Sequence, residues 1–281
     1  MRVIEHPREL ISHLEQTTFT SLGLVPTMGY LHPGHISLVH RAQKDNELVA
    51  ASIFVNPLQF NDPSDLSSYP TSREQDLILL EEAGCNLVFC PTHETIYPKN
   101  FSSKVSVDGI TKTLEGASRP GHFDGVTTVV AKLFNLFLPT RAYFGEKDAQ
   151  QLSVIQKMVL DMDYRVEVVP CPTVREASGL AMSSRNSRLS SAQKSEAALL
   201  FKALQLAKHE IQQGNRDASV LKDQMGQLIE QGASSVIDYI SICHPLSLEE
   251  TDVIDSEVLV SLAVFVGPVR LIDNMRLYPP E

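Results

Sequence analysis

The sequence predicts a doubly wound, parallel-sheet (Rossmann-like) α/β domain over residues 1–175, followed by a smaller α+β domain over 176–281. Three observations carry this reading. Up to about residue 172, short apolar runs alternate with longer stretches of helical periodicity, the pattern of parallel strands joined by covering helices. The first clear run leads through a glycine-bearing turn straight into a helix, the place where such sheets collect nucleotide phosphates. Beyond a serine-rich loop at 175–189 the pattern changes to two helices and then three strands.

The elements follow in order. Strands are expected at 22–25, 48–55, 87–89, 142–144 and 166–169, each a short apolar run. A helix over 34–44 starts from Pro33, whose fixed φ suits a first helical position, and its apolar face begins with Ile36, Leu38 and Val39. The spacing predicts further helices over 72–83, 123–138 and 150–162, with Ser72 and Gln75 as a capping box and Gly84 as the stop of the first. In the second domain, helices are expected over 192–213 and 218–231, and antiparallel strands at 236–243, 258–266 and 269–272. The loop between the domains reads as a hinge.

Composition narrows the function. With 281 residues, 43% hydrophobic and 21% charged, the chain reads as a soluble globular protein with room for two domains. Its N-terminus is charged and broken by Pro7, without the apolar core of a signal peptide, and the longest apolar run is too short to span a bilayer. Four scattered cysteines form no CxxC pair. Cys85 and Cys90 would flank a strand with thiols roughly 16 Å apart, beyond disulfide reach, so a reducing cytoplasm is the expected compartment. The formal charge of −10, with no basic stretch, argues against a nucleic-acid partner and leaves small anionic ligands.

Several segments carry groups suited to such a ligand. Met28-Gly29-Tyr30-Leu31-His32-Pro33-Gly34-His35 places two imidazoles at a helix N-terminus, where unpaired N–H groups favour an anion. Histidines that merely pack or cap, or a His-x-x-His zinc pair, are the other readings of this stretch. Gly145-Glu146-Lys147-Asp148 offers an ammonium at a strand end, and Met182-Ser183-Ser184-Arg185 two hydroxyls and a guanidinium. Gln59 and Gln151 offer amides, and the glycine-rich entry to the 123–138 helix presents Arg119 and His122 to anions.

Taken together, PTMGYLHPGH, SIFVNPLQF, LEGASRPGHFDGVTTVVAKLFN, FGEKDAQQL, LAMSSRNSRLS and VRLIDN appear in one order along nearly the whole chain. In this the sequence resembles the pantothenate synthetase (pantoate–β-alanine ligase) family of the nucleotidyltransferase superfamily, related to class I tRNA synthetases. The resemblance implies an ATP-dependent ligase of pantothenate biosynthesis, on the way to coenzyme A. It joins (R)-pantoate to β-alanine through a pantoyl adenylate, releasing pyrophosphate and then AMP. It implies His35 as the catalytic proton donor and Met28 to His35, Gly145 to Asp148, Val174 and Met182 to Arg185 as ATP-binding. Gln59 maps to pantoate and β-alanine, Gln151 to pantoate, and Val126, Val129 and Val130 to an apolar wall. Mg2+ is expected with ATP, with Asp76 the candidate carboxylate, and a homodimer is implied. Ser178 stands where family members commonly carry Asp, which bears on contacts within that loop. The rivals are a nucleotidyltransferase acting on a phosphorylated acceptor and a non-catalytic nucleotide- or metal-binding protein.

Overall fold

In a computed structural model, which describes residues 1–280, the chain divides into two compact units. One comprises Met1–Glu146 and Gln151–Pro172; the other comprises Lys147–Gln150 and the chain from Thr173 onward.

The larger unit runs β1 (Arg2–Ile4), α1 (Pro7–Gln16), β2 (Leu22–Thr27), α2 (Pro33–Asp45), β3 (Leu48–Ile53), α3 (Pro63–Ser67), α4 (Arg73–Glu82), β4 (Leu87–Phe89), α5 (His93–Ile96), α6 (Leu114–Ser118), α7 (His122–Phe137), β5 (Arg141–Gly145), α8 (Ala149–Asp161) and β6 (Glu167–Cys171). The strands form one sheet in the order β1-β4-β3-β2-β5-β6, parallel throughout. From β2 the chain works outward to β3 and β4, then returns to the other side for β5 and β6. The order therefore reverses between β2 and β5, and the crevice beyond their carboxyl ends is where such sheets bind ligands.

Side-chain alternation shows why both sheet faces are covered. Leu24, Ala50, Leu87, Phe89, Ala142 and Phe144 join one buried cluster with residues of α1, α7 and α8. Their neighbours Val25, Val49, Ala51, Val88 and Tyr143 join another with Leu38, Val39 and Ala42 of α2 and Leu80 of α4. The strand runs read as continuous apolar segments because each residue has a core to enter, on one face or the other.

Several boundaries moved for identifiable reasons. β1 and α1 lie in the charged N-terminal stretch and bury only Ile4 and Leu10 fully, too little to register as periodicity. Ser72 makes no side-chain cap on α4, contrary to the expected capping box. Gly84 does close that helix: at φ +75° it donates to the Glu81 carbonyl while Cys85 donates to Leu80, a Schellman ending.

The smaller unit contains α9 (Ser191–Gln212), α10 (Ala218–Ile229) and the strands β7 (Ser235–Cys243), β8 (Val258–Val266) and β9 (Val269–Leu277), antiparallel in that order. A capping box between Ser190 and Gln193 starts α9. β9 runs five residues past the expected end at 272, because the polar pair Asp273-Asn274 stays in register opposite Leu262 and Ser261. Asp273 is buried and accepts both guanidinium nitrogens of Arg175, at 2.6 and 2.9 Å. The serine-rich stretch is partly ordered by this anchor, by a bridge between Arg175 and Ala181 and by a 3-10 turn at Ser184–Arg188. Ser178 takes part, its hydroxyl accepting from the Leu180 amide. All four cysteines are buried and free. Among the described residues no helix is long and apolar enough to cross a membrane.

Candidate active site

β2 ends at Thr27, and the turn after it is held from three sides. The Thr27 hydroxyl donates to the Ser52 carbonyl at 2.7 Å and accepts from the Gly29 amide at 3.2 Å. Gly29 and Tyr30 both adopt positive φ, +84° and +50°. Asp76, 2% exposed on α4, accepts the Tyr30 amide on one carboxylate oxygen and the Leu31 amide on the other, at 2.8 and 2.7 Å.

The turn delivers His32 to the N-cap of α2, with Pro33 at the first helical position. The two histidines then form a reciprocal capping box. His32 Nδ1 accepts from the Gly34 amide at 3.1 Å, and His35 Nδ1 accepts from the His32 amide at 3.3 Å, the ring centroids 4.0 Å apart. Both histidines therefore do cap the helix, and this has a chemical consequence. An imidazole nitrogen that accepts from an amide carries no proton, so each ring holds its N–H on Nε2. No group of three or more His, Cys, Asp or Glu among the described residues is arranged to hold a metal. The zinc reading of the pair therefore lacks a ligand set.

Beyond β3, Asn56 organises the second group. Its Oδ1 accepts from the Leu58 amide and the Tyr97 hydroxyl, and its Nδ2 donates to Gln59 Oε1 and to the Gly125 carbonyl at the start of α7. Gln59 is 8% exposed, and its Nε2 donates to the Met28 thioether at 3.0 Å, which joins this group to the histidine turn. Arg119 and His122, expected to face anions, instead converge on the Gln59 carbonyl at 3.1 and 2.7 Å. His122 donates there from Nδ1 while its Nε2 meets Arg119 Nη1 at 3.3 Å, which fixes that ring's tautomer. Asn56 and Tyr97 were missed by the sequence reading. An asparagine directly after a strand and before a proline was the available signal for the first; nothing local marked the second.

The remaining predicted residues are placed as follows. A Cβ built on Gly145 meets nothing within 4 Å, so the end of β5 opens on free space, and Glu146 follows it. Gln151 lies half-buried in α8. Val126, Val129 and Val130 are packed into the core of the larger unit. In the smaller unit, Lys147 pairs with Asp148 at 3.7 Å, and its carbonyl accepts from Asn274. The Val174 carbonyl accepts from the Met182 amide at 2.9 Å. Ser183 caps the 3-10 turn by accepting from the Arg185 amide, and Ser184 is buried. The Asp76 carboxylate, a candidate for Mg2+, accepts one amide on each oxygen.

The sequence model described as pantoate-beta-alanine ligase matches residues 1–276. The chain belongs to the pantoate-beta-alanine ligase family. Among curated members, pantothenate synthetase of Herpetosiphon aurantiacus is 52% identical over 92% of this chain and 94% of its own length. That of Caldicellulosiruptor bescii is 48% identical over 97% and 96%. The crystal structure of pantothenate synthetase from Thermus thermophilus superposes with a TM-score of 0.95 at 44% identity, covering 99% of this chain and 100% of that one. A pantoate-beta-alanine ligase from Francisella tularensis, complexed with β-γ ATP and β-alanine, gives 0.83 at 34% identity over 98% and 97%. The ligase fold is therefore shared from end to end, and the histidine turn follows β2, beside which the strand order reverses.

Proposed function

We propose that this chain is the ATP-dependent pantoate–β-alanine ligase of pantothenate formation, acting through a pantoyl adenylate. Family membership across 1–276 carries the reading, and the histidine turn at the sheet's switch point supports it. A pantoate carboxylate oxygen attacks the α-phosphorus of ATP, and the bond from that phosphorus to pyrophosphate breaks. The β-alanine amine then attacks the acyl carbon, loses its proton and displaces AMP.

The chain's own groups suit the first step. Negative charge grows on phosphate oxygens at the transition state, and donors already aimed there need no reorganisation. The Nε2–H groups of His32 and His35 are such donors, held by a cap that fixes tautomer and ring orientation, and His35 takes the proton-donor role. Met28 to Gly34, Gly145 and Glu146 are proposed to line ATP in the larger unit. Lys147, Asp148, the Val174 backbone, Met182, Ser183, Ser184 and Arg185 are proposed to do so from the smaller. Lys147 and Arg185 concentrate positive charge in a chain of net −10. Gln59 and Gln151 are proposed to bind pantoate, Gln59 also facing β-alanine. Mg2+ that stays on phosphate oxygens and water needs no protein cage. It would neutralise phosphate charge.

Labelled pyrophosphate should exchange into ATP when pantoate is present and β-alanine is absent. No exchange in the presence of Mg2+ would remove the ligase reading, and His35→Ala should abolish exchange with the circular dichroism unchanged. We also infer a cytoplasmic homodimer, supported by the resemblance and by four unpaired thiols. Sedimentation at twice the chain mass checks the dimer.

A further inference from the structure

We infer that Asp76 is the positioning residue of adenylation: its carboxylate clamps the turn that aims the two imidazoles. The inference rests on the ligase reading. The turn at 29–31 has neither helix nor sheet to fix it, and two successive residues sit in the left-handed region. Two of its amides end on one carboxylate, oxygen for oxygen, in charge-assisted bonds of 2.8 and 2.7 Å. Gly29 is shaped to the same contact, because a Cβ there would lie 2.9 Å from Asp76 Oδ2 and 3.0 Å from Ile53 Cγ2.

Burying a carboxylate is costly unless it is compensated. Asp76 is 2% exposed and has no ion pair among the described residues; the two turn amides compensate it. An amide side chain cannot replace it, since one end accepts while the other presents an NH2 to an N–H. The clamped Leu31 precedes His32 directly, so slack at 30–31 passes straight into the cap that orients His32 and His35. Misplacement of about 1 Å in such a constellation costs on the order of 100-fold in rate.

The test is Asp76→Asn, assayed by pantoate-dependent pyrophosphate exchange across a Mg2+ titration, with 15N signals of the two histidine rings recorded on the same protein. The expected result is a kcat about 100-fold lower, an unchanged Mg2+ midpoint, and ring signals that lose the Nε2–H pattern. An exchange kcat within about threefold of wild type overturns the proposal. So does a loss that excess Mg2+ repairs, since the carboxylate would then be a metal ligand. If Asp76→Asn does not fold, Gly29→Ala crowds the same oxygen and should lower kcat with the same unchanged Mg2+ midpoint; wild-type kcat there overturns the proposal. A wild-type protein without exchange would sink the ligase reading instead, and the ring signals of Asp76→Asn alone would then decide the clamp.

Discussion

Gln59 shows how much can be invested in one side chain. Its amide is gripped by Asn56 and Met28, and its carbonyl by Arg119 and His122. Tyr97 stands behind this, donating to Asn56 Oδ1 at 2.9 Å, and burial pushes its phenol well above the usual range so that it remains a donor. Tyr97→Phe removes one hydrogen bond of about 1 kcal/mol, which corresponds to roughly a fivefold rise in the KM for pantoate with kcat preserved. An unchanged KM would mean that Asn56 holds Gln59 unaided. The glutamine itself was legible in the sequence, as were the histidines, because each follows a recognisable strand end. Their supports were not, since Tyr97 lies 41 positions from Asn56 and His122 lies 63 from Gln59. Only the fold brings such partners together.

α7 illustrates the same limit for a whole helix. Its apolar periodicity gave its position, yet Gly125 read only as part of the glycine-rich entry to the helix. In the structure Gly125 is the place where α7 touches the 57–59 turn, and a Cβ there would lie 2.4 Å from both the carbonyl carbon and oxygen of Leu58. Gly125→Ala gains about 1 kcal/mol of helix propensity but forces backbone against backbone, which costs about 1–3 kcal/mol. The expected outcome is unchanged or lower thermal stability and at least a tenfold loss of kcat/KM for pantoate. A variant more stable and fully active would show that the turn yields freely. β9 was misread in the opposite sense: Asp273 looks like a strand terminator until Arg175, 98 positions away, is seen to neutralise it.

Across the molecule, buried thiols set an alkaline limit. Burial pushes Cys85, Cys90, Cys171 and Cys243 each from 9.0 up to about 11. Below pH 9 folded and unfolded chains both keep these protons, so the contribution to stability is complete and flat. Between pH 9 and 11 the unfolded chain releases protons that the folded one retains, and stability falls by about 2–3 kcal/mol per thiol. Tyr143, raised to about 12, acts in the same direction at higher pH. The urea midpoint should hold steady from pH 7 to 8.5 and then drop steeply, less so in Cys243→Ala. A midpoint independent of pH up to 11 would contradict the burial.

The division of the chain also bears on how it can be cut. Lys147–Gln150 cluster with the smaller unit although the residues on both sides belong to the larger, so the backbone passes between the units at 146/147, at 150/151 and again at 172/173. Scission after Pro172 leaves that tetrapeptide on the wrong fragment, and with it the lysine proposed to bind the nucleotide. Neither half can be recovered whole by truncating the gene, and swapping the C-terminal portion for a relative's must carry those four residues along.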